Sequence, residues 1–221
     1  MQHSFLDHIT VTAFSLDAGA ALLRETLGAT PQVGGEHPSM ATHNLLLRLG
    51  DAMFLEVIAP HPTMPPPARP RWFALDDLKP GSPASLSTWV VRTTDMQASM
   101  AAASEPLGAM VPVSRGNLRW LMGFPSDGTI ALHGAGPALI EWQTDQHPAA
   151  GLKDQGLSLD CLEILHPDPQ RVSQLLASLH LDAPVTVQAA APQGGVRLRA
   201  HIRTPQGLRV LSTDSALAPY P

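Results

Sequence analysis

Short runs with period-two alternation of apolar and polar positions recur along this chain. Three times such a run leads into a stretch of helical spacing and then into further alternating runs. In the first copy, LDHITVTA places Leu6, His8, Thr10 and Thr12 on one face of a strand and Asp7, Ile9 and Val11 on the other. Ala18, Leu22, Leu23 and Leu27 then recur at helical spacing, with Ser15 or Asp17 as the N-cap and Gly28 as the stop. THNLLLRLG and AMFLEVIAP, joined at Gly50-Asp51, read as a hairpin that packs this helix.

The second copy opens with SLSTWVVRT, continues through a helix over 95–104, and returns by AMVPVS and NLRWLMGFP to ALIEWQTD, with an insertion at 126–137 before the last strand. The third runs from LSLDCLEILHPD through a helix over 169–179, with Val172, Leu175, Leu176 and Leu179 on one stripe, to strands at PVTVQ, GVRLRAHIRT and LRVLST. Each copy has the order β-α-β-β-β, and such self-similarity is the signature of duplication. The implied class is α+β, with a first unit at 1–62, a Pro-rich exposed connector at 63–82, a second unit at 83–150 and a third at 151–221. These form one compact domain or two closely packed ones. For the third unit the sequence suggests a fold-closing or dimer-forming role.

A chain of 221 residues, 44% of them hydrophobic, can bury a sizeable core. The net charge of −5 and the scattered Lys and Arg argue against nucleic acid as a partner. No apolar run is long enough to span a membrane, and no basic-then-apolar leader opens the sequence, so a cytoplasmic location is expected. The single cysteine, Cys161, forms no internal disulfide and reads as a small strand hydrophobe. Nucleophile elbow, P-loop and dinucleotide fingerprint are missing, so no nucleotide cofactor is expected.

The repeat resembles the vicinal oxygen chelate superfamily, the glyoxalase and bleomycin-resistance fold, and more narrowly its glyoxalase-like domain family. The resembling stretches are LDHITVTAFSLDAG, GGEHPSMATHNLLLRLGDAMFLEVIAP, LRWLMGFP, ALIEWQTDQHPAAGL and LEILHPDPQRVSQLLASL. The resemblance implies curled mixed sheets around a shared cleft, often with a divalent metal held by first and last strands.

His8 on the first strand and Glu56 on the last can enter one concavity, and Glu141 in IEWQTD matches Glu56 in LEVIAP. An imidazole and two carboxylates suit a divalent ion such as Zn, Mn, Fe or Ni with open positions for an oxygen-rich substrate. Two features weigh against it: Thr88 or Trp89 stands where a further ligand is expected, and His8 reads equally well as a half-buried, hydrogen-bonded histidine. Without metal, Glu56 or Glu141 could serve as a general base, or pair with Arg48, Arg92 or Arg119. His37, His43 and Asn44 are candidate substrate contacts; His43 and Asn44 face opposite ways, so only one reaches a cleft directly. Arg119 could hold a carboxylate or phosphate. The expectation is an enzyme of lyase, isomerase or dioxygenase type acting on a small molecule, the alternative a metal-free binding protein that sequesters one. Open sheet edges lead us to expect a homodimer.

Overall fold

The computed structural model describes residues 3–191 and 194–214. The first unit comprises β1 (Ser4–Thr12), α1 (Leu16–Leu27), β2 (Gln32–His37), β3 (Thr42–Gly50) and β4 (Met53–Pro60). The second comprises β5 (Ser85–Arg92), α2 (Met96–Ala102), β6 (Ala109–Arg115), β7 (Leu118–Phe124) and β8 (Ala138–Trp142). The third comprises β9 (Ser158–His166), α3 (Pro169–Ser178), a two-residue β10 (Leu181–Asp182), β11 (Val185–Ala189), β12 (Arg197–Thr204) and β13 (Gly207–Ser212).

Local chemistry sets the helix ends. The Ser15 side chain accepts from the Ala18 N–H, and Gly28 closes α1 in the left-handed region at φ 66°, where its missing Cβ removes the penalty. Asp95 caps α2 and Asp168 caps α3 in the same way.

Strands of the first two units form one curled mixed sheet in the order β2-β3-β4-β1-β5-β8-β7-β6, with β10 added beside the start of β1. The seam is the antiparallel β1–β5 pair. The outer strands β2 and β6 meet again across the concave side, so the sheet curls round a hollow. β2 runs through Gly34 and Gly35 to His37, so His37 ends a strand. The third unit forms its own sheet, β11-β9-β12-β13. Its Leu162, Val172, Leu198 and Ile202 pack into a single core with Ile9, Leu23, Val57 and Trp89. α1 lies so close to β4 that a Cβ on Gly19 would come within 2.2 Å of Val57 Cγ1.

Two sequence expectations change. Alternation along β1 breaks, because a register shift against β5 falls between Leu6 and His8. A bulge puts two residues of one strand opposite one of its partner, so parity flips there. Leu6 accordingly joins Ile9 and Val11 in the core, and Asp7 moves to the side of His8. The connector, expected to be exposed, carries Trp72, Phe73 and Leu75 into a second core cluster with Ile58, Trp120 and Phe124. Among the described residues no helix is long and apolar enough to cross a membrane.

Candidate functional site

Side chains from both halves of the curled sheet, and from the connector, enclose a hollow of about 30 Å³. The polar members of its lining are His8 from β1, Glu56 from β4, His37 from β2, Asn44 from β3 and Arg115 from β6.

The chain of contacts runs through the wall in order. Asp7 is fully buried and accepts from His8 Nδ1 at 2.6 Å, from Trp142 Nε1 at 2.8 Å and from His147 Nε2 at 3.0 Å. Burial alone would raise its pKa, but the hydrogen bonds from His147 and His8 and their charges hold it well below the ordinary carboxylate range. An ionised Asp7 accepts and never donates, so His8 carries its proton on Nδ1 and turns Nε2 toward Glu56 Oε2, 3.6 Å away. Phe54 stacks on the His8 ring at 4.4 Å and fixes its plane. Glu56 Oε1 accepts from Asn44 Nδ2 at 2.6 Å, which leaves Oε2 as the oxygen facing His8.

Asn44 Oδ1 in turn accepts from Arg115 Nη1 at 3.1 Å. His37 Nδ1 donates to Thr42 Oγ1 at 3.1 Å, and its Nε2 faces Arg115 Nη1 at 3.5 Å. Burial and the Arg115 charge push the pKa of His37 down to about 3, so it stays neutral. Burial also lowers Arg115, against the pull of Glu56. The arginine reaches this position because β2 is bare where it crosses: a Cβ on Gly35, at φ 152°, would lie 2.7 Å from Arg115 Cδ, and one on Gly34 would lie 2.3 Å from Asn44 Oδ1. The remaining wall is apolar and aromatic.

Of the residues picked from sequence, His8, Glu56, His37 and Asn44 share this hollow. Glu141 does not join them. Trp142 and Ile140 take the inward positions of β8, so alternation turns Glu141 outward, where it accepts from the Met96 N–H at the start of α2 at 2.6 Å and from Gln143 Nε2 at 2.7 Å. His43 faces away from Asn44 and packs against His61 at 4.8 Å, and burial together with that neighbour lowers its pKa. Arg119 is exposed, and the arginine that lines the hollow is Arg115, four residues earlier. Arg48 instead pairs with Asp51, and Arg92 donates to the Ala52 carbonyl. Trp89 is buried and donates to the Ala135 carbonyl, while Thr88 faces Thr10 across the seam. Cys161 is half-buried, 3.6 Å from Thr186 Oγ1.

Sequence reasoning passed over Asp7, Arg115 and the Trp72-Phe73 pair. Asp7 is hidden by the bulge, and Arg115 by its place beside a turn glycine. An Arg-Trp-Phe ending to a Pro-rich run, too apolar for an exposed connector, was the one available signal. A divalent metal does not fit the donors present: of the three expected ligands only His8 and Glu56 converge, and the facing wall is Ile140, Met122 and Trp120. Among the described residues no group of three or more His, Cys, Asp or Glu side chains could hold an ion.

A profile of the glyoxalase-like domain matches residues 6–180. A hypothetical protein from Staphylococcus aureus superposes with a TM-score of 0.60 at 12% identity, over 85% of this chain and 86% of that one. Methylmalonyl-CoA epimerase of Streptomyces coelicolor matches at 16% identity over 63% of this chain and 94% of that one, with a TM-score of 0.41. The enzyme from Mycobacterium tuberculosis matches at 18% over 62% and 85%, with a TM-score of 0.40. No curated protein sequence matches significantly.

Proposed function

The chain belongs to the glyoxalase-like domain family, and from that premise we propose that it is an enzyme of the isomerase or lyase type. It moves a proton on a small, oxygen-rich acid held in the hollow, without a resident metal. The observation that carries this reading is the Asp7–His8–Glu56 line, with 2.6 Å and 3.6 Å between successive polar atoms, opening onto the cavity.

Glu56 is the proposed base. Asn44 occupies Oε1, so Oε2 is the oxygen left to take a proton from carbon next to a carbonyl. His8 is the proposed partner acid or base: Asp7 fixes its tautomer and orientation and stabilises the imidazolium if Nε2 gains a proton. Arg115 supplies positive charge where an enolate oxygen or a carboxylate would sit. Glu141 has no part in this reaction, since its oxygens serve α2 and Gln143.

At about 30 Å³ the cavity has room for only one or two waters, so substrate entry requires the cover to move. That cover is the connector segment with Trp72 and Phe73. Phe73 and Ala74 sit at φ 60° and 53°, a conformation that costs about 1 kcal/mol or more per residue and that a displaced segment would relieve.

A metal-free binding protein is the second reading, favoured by the aromatic share of the wall. Proton exchange separates the two. Small 2-oxo acids incubated with the protein in deuterated buffer should lose the proton beside the carbonyl, as read by proton NMR, and Glu56→Gln should abolish the loss. Tight binding with no exchange would favour sequestration. The open edge strands β11 and β13 support a homodimer, which sedimentation would test.

A further inference from the structure

Arg115 and Trp72 are the two hydrogen-bond donors in the hollow whose chemistry is unfinished. Arg115 enters no ion pair among the described residues; Asn44 and His37, both neutral, take its Nη1, and the Glu56 carboxylate acts on it by charge and through Asn44 without a direct hydrogen bond. A half-buried guanidinium that has lost water without gaining a carboxylate is costly unless an anion joins it. Trp72 is 3% exposed, lines the same hollow, and its Nε1 has no partner among the described residues. A buried N–H left open costs about 1–3 kcal/mol, so an acceptor is missing there as well.

The apolar wall is unusual for this chain. It has five Phe, four Trp and one Tyr, and five of these ten line this one cavity: Phe54, Trp72, Phe73, Trp120 and Trp142. Rings arranged this way suit a flat ligand, which can stack or meet an edge. An aromatic cage with a carboxylate could also hold a cation, but Arg115 beside Glu56 opposes that.

We propose that the ligand of this hollow is a small planar aromatic or conjugated monocarboxylic acid, with its carboxylate on Arg115, an oxygen on Trp72 Nε1 and its ring among the aromatic side chains. This deepens the enzymatic reading given above and rests on the same hollow, but it concerns binding alone. Arg115 also lines a surface groove with Gly34, Gly35 and Ser114, so it stands between the hollow and solvent. The carboxylate therefore lies toward solvent and the ring inward.

The test is equilibrium titration of the full chain with benzoate, cinnamate, cinnamyl alcohol and cinnamylamine, read by calorimetry and tryptophan fluorescence. At least one of the two acids should bind saturably, with the alcohol and the amine at least tenfold weaker than cinnamate. Arg115→Gln should bring cinnamate to the level of the alcohol, and Trp72→Phe should weaken it several-fold. Glu56→Gln should bind the acid at least as tightly while losing proton exchange, so a failed reaction and a failed ligand class are told apart. If Arg115→Gln does not fold, Arg115→Lys, which keeps charge but loses the fork, should show an intermediate loss; the ligand series on the unaltered chain decides the matter even without variants. Equal binding of alcohol and acid, preference for the amine, absence of binding by both acids, or acid binding indifferent to Arg115 and Trp72 would each overturn the proposal.

Discussion

Asp7 Oδ1 lies 2.6 Å from His8 Nδ1 although the two residues are neighbours on a strand. In regular β structure they would point to opposite faces; the bulge in β1 turns them the same way. A carboxylate with no exposed surface thus orients the imidazole that faces Glu56.

Asp7→Asn should therefore be costly in two respects. It leaves His147, Trp142 and His8 without their charged acceptor, and we expect a loss of about 3 kcal/mol in urea unfolding. It also frees the His8 tautomer, so any proton-exchange activity should fall by more than tenfold in the folded variant. The native carboxyl sits below its ordinary 3.8, so its contribution is complete above that pH and is lost as acid titrates the folded form; the unaltered chain should lose stability steeply below about pH 4, and Asp7→Asn less steeply.

His37 should make the protein acid-sensitive at milder pH. Its folded pKa of about 3 lies below the ordinary 6.5, so the unfolded chain binds the extra proton first and stability falls as pH drops from 6.5 toward 3. At pH 5 the effect of this one group is about 2 kcal/mol. The urea midpoint of His37→Gln should change less between pH 7.5 and 5 than that of the unaltered chain; equal slopes would reject the assignment.

Gly35→Ala should act on Arg115 from the opposite strand. The added methyl meets Arg115 Cδ at 2.7 Å on a backbone at φ 152°, and we expect a cost of about 1–3 kcal/mol together with weaker anion binding. Thermal melting and the cinnamate titration read the two effects separately.

Glu141→Gln should lower stability by about 1 kcal/mol through the start of α2 and leave proton exchange unchanged, because Glu141 accepts from the Met96 N–H and Gln143 outside the hollow. Loss of exchange in a folded Glu141→Gln would return this residue to the active centre.

Most of the secondary structure was legible in the sequence because its causes are local. Period two marks a strand wherever one face is buried, aspartate or serine before a helical stripe supplies a cap, and Gly28 or Gly50-Asp51 stops an element regardless of what packs on it. The β-α-β-β-β repeat, and the entry of His8 and Glu56 into one concavity, follow from such rules together with the family resemblance, whereas period two sets His43 and Asn44 on opposite faces without choosing between them. Tertiary structure decided the rest. A bulge depends on how β1 meets β5, and a single slip in register exchanged Leu6 with Asp7. Alternation within β8 does not say which face the curl encloses, and it is Trp142, not Glu141, that the closed sheet turns inward. Arg115 and Trp72 lie far in sequence from His8, and what brings them to it is closure of the sheet and the path of the connector over it. Elements follow from neighbours in sequence, whereas the site follows from neighbours in space, and hydrophobic burial selects those only after the whole sheet has curled.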